Sequence, residues 1–145
     1  MKFKVAAASR EPAILVETHP ALLGGVLAVV VCLVLRKLPA PYPGDFLAAL
    51  LAATASVYVG AALARGQALA VETAAFAVVF ALALAGLWHS PVWLALGYAL
   101  HGAWDFLHHG PRLGANAGAR FPWLCLSFDG IVALFVLYHW GLAAH

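Results

Sequence analysis

Within the 145 residues, one short segment concentrates the groups that could do chemistry: His101-Gly-Ala-Trp104-Asp105-Phe-Leu-His108-His109. On a helix turning about 100 degrees per residue, His101, Asp105, His108 and His109 stand at i, i+4, i+7 and i+8 and fall within one arc of roughly 100 degrees. A single face then presents three imidazoles and a carboxylate. Mixed imidazole and carboxylate donors are what iron, manganese or zinc sites use: the carboxylates neutralise the metal's charge, and each imidazole is oriented through its second nitrogen. Further carboxylates stand at Glu72 and Asp129, with Glu17 and His19 nearer the start. Asp105 is either a ligand or the acceptor that orients a neighbouring histidine, and the spacing does not choose. Trp104 can donate one hydrogen bond and wall off a pocket. Ser56 and Tyr58 either hydrogen-bond into the same cavity or simply pack between helices.

The elements that must position these groups follow from composition. The chain is 65% hydrophobic and 10% charged, where a soluble domain runs near 45–50% and about 25%. Eight Lys and Arg and six Asp and Glu cannot coat a globule of this size, so apolar surface must face lipid. A soluble enzyme, a disordered chain and a disulfide scaffold are excluded. The net charge is +2 and the basic residues are scattered, which leaves no footprint for nucleic acid. Cys32 and Cys125 lie in apolar runs without the spacing of a redox pair or thiolate metal site. No phosphate loop, nucleophile elbow or dinucleotide fingerprint occurs, so no nucleotide cofactor is expected.

A membrane-crossing helix needs roughly 20 mostly apolar residues, and prolines, glycines and charges divide the chain into about five such pieces. The expected fold is therefore all-α, a polytopic transmembrane helix bundle. Residues 1–19 read as a cytoplasmic or interfacial tail and residues 20–145 as a single transmembrane domain. The spans fall at about 20–35, 45–64, 68–88, 91–109 and 121–143, with Thr18 or His19 capping the first and Asp45 the second. The polar loop 110–120 reads as flexible, a lid over the cytoplasmic opening. Five spans put Lys2, Lys4, Arg10, Arg65, Arg112 and Arg120 on one side against Arg36 and Lys37 on the other, which favours a cytoplasmic N-terminus. Alanine and glycine in the second and third spans allow close helix approach and make a homo-oligomer possible.

Chain direction then sorts the ionisable residues. The fourth span ends on the cytoplasmic side at His109, which sets His101 about 12 Å deeper at 1.5 Å per residue. The third and fifth spans start from that side, so Glu72 and Asp129 reach the same half of the bilayer, as do Glu17 and His19. His89, His139 and His145 read as turn or interfacial groups. His108 and His109 also suit the negative end of a helix dipole, and Glu72 suits a first turn near lipid headgroups.

The pair His108-His109 preceded by His101 and Asp105 resembles a fragment of the histidine boxes of membrane fatty-acid desaturases and hydroxylases, which bind two irons. Here Asp105 stands where such a box has histidine, so a di-iron site would need Glu72, Asp129 or Glu17 as compensating ligands. The combination of Glu72, His101-x-x-Trp104-Asp105-x-x-His108-His109 and Phe121-Pro122-Trp123-Leu-Cys125-Leu-Ser-Phe-Asp129 resembles a family of small bacterial integral membrane proteins of unknown function. That resemblance implies a multi-pass protein of the bacterial inner membrane with these residues as signature positions.

The resulting expectation is a metal-dependent enzyme of the bilayer acting on a lipophilic small molecule. His101, His108, His109, Glu72 and Asp105 are the candidate ligands of a divalent metal, iron or zinc, and Glu72, Asp105 and Asp129 the candidate catalytic carboxylates. Iron would imply hydroxylation or desaturation; zinc would imply hydrolysis. The alternatives are a proton or metal-ion transporter, a metal-free acid–base isomerase or cyclase, and a subunit of a membrane complex. The apolar run 94–100 beyond His101 favours a closed pocket over a transport path.

Overall fold

In the computed structural model, residues 13–109 and 114–141 are described, with side chains from His19 onward. Five α-helices follow one another: α1 Ala13–Leu35, α2 Tyr42–Arg65, α3 Leu69–Trp88, α4 Pro91–Leu107 and α5 Phe121–Val136, the last running into one π-helical turn, Leu137–Gly141. The fold is all-helical. Three helical stretches, Tyr42–Arg65, Leu69–Trp88 and Phe121–Gly141, are long and apolar enough to cross a membrane, and His19–Leu35 is a shorter apolar helix. Large apolar side chains lie exposed along α1, α2, α3 and α5, among them Leu22, Leu33, Leu63, Val78 and Leu134. Such continuous apolar surface suits a lipid environment.

Local chemistry explains most boundaries. Ser90 caps α4, its Oγ accepting from Val92 N at 3.4 Å, and Pro91 follows in the first turn where a missing N–H leaves no bond unmade. Gly66 closes α2 in the left-handed region, φ 66°, with its N–H on Ala62 O. Two starts lie upstream of the expected ones. Helix α1 begins at Ala13 and runs through Pro20, because a proline removes only one intrahelical bond and neighbouring helices can support the turn around it. Helix α2 begins at Tyr42, so Asp45 is a first-turn residue and not the cap. Helix α4 stops at Leu107, leaving His108 and His109 in the turn that follows. His108, the C-cap, keeps right-handed helical angles and its N–H still bonds Trp104 O at 3.2 Å, so the expected face runs on to it before the helix ends.

Helix α4 is the hub. It packs against α2, α3 and α5, while α1 lies on α5 and α2 on α3. Leu47, Leu51, Leu94, Tyr98, Val132 and Val136 form its apolar half, and the buried Tyr98 donates its hydroxyl to Leu47 O at 2.8 Å. Close approach depends on glycine at two crossings. A Cβ on Gly97 would stand 2.9 Å from Leu51 Cδ2, and one on Gly24 would collide with Leu124 O and Ser127 Oγ. At that second crossing Ser127 donates to Ala21 O across the α1–α5 seam at 2.7 Å. Gly60, in contrast, faces open space. Replacing Gly24 by Val should destabilise the detergent-solubilised protein by about 1–3 kcal/mol through overpacking. Gly60→Ala, with open space and a better helix former, should keep or slightly raise the thermal midpoint, and melting both variants beside the parent protein checks the contrast.

Candidate functional site

The placement of α4 carries its polar residues into the protein interior. His101, Asp105, Asp129 and Glu72 are each no more than 1% exposed, so none has bulk water to lean on. Ionised groups in that position need partners or counter-charges. The four fall into two groups, one finished and one not.

Glu72 belongs to the finished group. Near the start of α3, its Oε1 accepts from Ala115 N at 2.6 Å and from His108 Nε2 at 3.0 Å, and its Oε2 accepts from Trp104 Nε1 at 3.1 Å. His108 Nδ1 in turn donates to Trp104 O at 2.8 Å. Every polar atom has a partner. The loop is held so tightly that Gly114, at φ 72°, has no room for a Cβ, which would strike His108 Nε2 and Glu72 Oε1. This group ties α3, the end of α4 and the chain at 114–115 into one knot, and its donors are already spent.

The second group gathers His101, Asp105 and Asp129. His101 Nδ1 lies 2.6 Å from Asp129 Oδ2 and 3.5 Å from Asp105 Oδ2. A ring nitrogen facing carboxylate oxygens donates, which leaves His101 Nε2 with a bare lone pair. Tyr58 on α2 donates its hydroxyl to Asp105 Oδ1 at 2.6 Å. Among the described residues four buried side-chain atoms lack a hydrogen-bond partner: His109 Nε2 and three that belong to this group, His101 Nε2, Asp105 Oδ2 and Asp129 Oδ1. One donor atom from each residue lies within 4.8 Å of the others, so the group could hold a metal ion. Two carboxylates outnumber one imidazole, so even a doubly protonated ring leaves one negative charge for a proton or cation to balance. Gly102 stands at this crossing, where an added Cβ would be 3.4 Å from Asp129 Cβ, in van der Waals contact.

The expected ligand set therefore divides. His101 and Asp105 meet Asp129, while Glu72 and His108 bond to each other and to backbone. His109 stands apart, with Nδ1 on Phe106 O at 3.1 Å and its ring 3.9 Å from that of Trp123. Ser56 turns to Ala53 O and His19 is exposed. Glu17, His145 and loop residues 110–113 lie outside the described side chains. Tyr58 is the strongest addition: its ring lies 4.4 Å from that of His108 and 6.2 Å from that of His101, so it separates the two groups while bonding to one. Its signal was depth, because seven residues before Arg65 place it about 10 Å inside the same end of the bundle. The Ala115 N–H, a backbone group, carried no side-chain signal at all.

Residues 19–141 match the model of a family described as a family of unknown function (DUF6010). Neither a curated protein nor a solved structure matches the chain.

Truncating Glu72 to Ala would strand three donors at once, Trp104 Nε1, His108 Nε2 and Ala115 N. A loss of about 3–5 kcal/mol in unfolding free energy is expected for breaking such a buried pair. Glu72→Gln, which keeps one acceptor oxygen, should recover part of it. Denaturant titration in detergent, followed by tryptophan fluorescence, measures both.

Proposed function

The chain belongs to that family of unknown function, and we propose that it is a multi-pass membrane metalloprotein whose His101, Asp105 and Asp129 hold a divalent cation for chemistry on a lipophilic molecule. The observation that carries this reading is the set of three buried, unpartnered donor atoms facing a deficit of positive charge. Native interiors rarely leave such atoms unsatisfied, and a cation held by one donor atom from each residue, all within 4.8 Å of one another, would answer the charge deficit.

In this reading His101 and Asp105 ligate, Asp129 ligates or orients the imidazole, and Tyr58 fixes Asp105 by occupying Oδ1 so that Oδ2 stays free. Bound iron would supply oxidation chemistry such as hydroxylation, and bound zinc would supply an activated water for hydrolysis. A lipophilic substrate follows from the medium around the bundle. The helical turns beyond His101 support a closed site over a transport path: Tyr98 already donates to Leu47 O, and Leu94, Val132 and Val136 are buried apolar residues. Arg65 and Arg120 flank the end nearer the site, and Arg36 and Lys37 the other. With the basic residues of the first twelve positions, that distribution supports five passes through a bacterial inner membrane with the N-terminus in the cytoplasm.

One observation favours a second reading. The 2.6 Å bond from His101 Nδ1 to Asp129 leaves Nε2 as a base oriented by a carboxylate, an arrangement that serves metal-free proton transfer as well. Elemental analysis separates the two. The detergent-purified protein should carry about one iron or zinc per chain, and His101→Ala or Asp105→Asn should lose it. Glu72→Gln should retain it, because its oxygens are committed elsewhere. A metal-free parent protein under metal-replete expression would overturn the metal reading in favour of acid–base chemistry.

A further inference from the structure

At the end of the bundle opposite His101, a cleft of about 500 Å³ opens between the end of α1, the starts of α2 and α4, and the π-helical turn. That volume lies in the range of small-molecule sites. Its walls are mixed, with Leu35, Leu38 and Leu94 on the apolar part and Arg36, His139 and the Trp140 indole as the polar side chains. Among the described residues no acidic side chain lines it. Among the described residues Arg36 forms no ion pair, so its guanidinium is free to meet an anion.

Two further features mark the cleft as more than a gap between helix ends. His139 and Trp140 reach it from the Leu137–Gly141 turn, a π-helical insertion of the kind that recurs at functional sites. Gly44, which also lines the cleft, has Leu87 Cδ2 as its nearest neighbour at 3.8 Å from an added Cβ. The space beside it is real and could be filled without a clash.

We propose that this cleft binds an anionic amphiphile, a molecule with one carboxylate or phosphate head at Arg36 and His139 and an acyl chain along Leu35, Leu38 and Leu94. The chemistry is that of a membrane interface: the charged head stays near the loop end that carries Arg36 and Lys37, and the chain enters the apolar space between helices. The site is independent of the His101 centre and does not rest on its function.

Equilibrium binding to the full-length protein in a neutral detergent tests the assignment, using oleate, dioleoyl phosphatidylglycerol and oleyl alcohol as probes. Saturable binding of one or both anionic probes, and a much weaker response to the alcohol, is expected. Which anionic probe binds tighter tells a free fatty acid from a phospholipid. Arg36→Gln should weaken the tighter probe roughly tenfold, equivalent to about 1.4 kcal/mol, and Gly44→Leu should abolish binding by filling the space. Circular dichroism confirms that each variant is folded; if Gly44→Leu is not, Arg36→Gln and the alcohol comparison decide. Absence of saturable binding by either anion, equal affinity for the alcohol, or affinity unchanged by Arg36→Gln overturns the proposal.

Discussion

A carboxylate or imidazole surrounded by hydrocarbon has no solvent to fall back on, so every such group must be answered by another part of the protein. Around α4 that demand is met in two different ways. Glu72 is answered completely, by a tryptophan, a histidine and a backbone amide. His101, Asp105 and Asp129 answer one another only in part, and three of their atoms face no partner. The contrast is informative because both groups are buried in one protein. A chain able to satisfy Glu72 so fully has the means to satisfy Asp129, and the incomplete set reads as a place kept for something else.

The rest of the bundle serves that arrangement. Helix α4 supplies His101 and Asp105, and it packs against α2, α3 and α5, which lets Tyr58, Glu72 and Asp129 arrive from three directions. A small residue makes one approach possible: Gly97 admits Leu51, where a Cβ would stand 2.9 Å from Cδ2. Beyond the polar layer, Leu47, Leu51, Leu94, Val132 and Val136 fill the interior. This apolar packing excludes water from one side of the centre and strengthens electrostatic interactions within it.

Much of this was legible before any coordinates. Apolar run length marked the helices, and the His89-Ser90-Pro91 turn set the start of α4 through the Ser90 cap. Chain direction alone placed Glu72, His101, Asp105 and Asp129 in the same half of the bundle, which the packing of α3, α4 and α5 bears out. What spacing along residues 101–109 did not give was the partner of each ring. His108 still follows the helical path and packs on Tyr58 as His101 does, but it gives its Nε2 to Glu72, while His109 bonds Phe106 O in the turn. Tyr58 was ambiguous because a tyrosine packs in helix bundles as readily as it bonds. The start of α1 upstream of Pro20 was hidden because proline ends helices in water more strictly than among packed apolar neighbours.

Anomalous diffraction from crystals grown with zinc, collected across the zinc absorption edge, tests the central claim most directly. A single strong peak about 2.0–2.2 Å from the donor atoms of His101 and at least one of Asp105 and Asp129 is the predicted result, with Glu72 still bonded to Trp104 and His108. Density showing Asp105 and Asp129 facing separate surroundings, or a peak at Glu72 and His108 in place of His101, would contradict it.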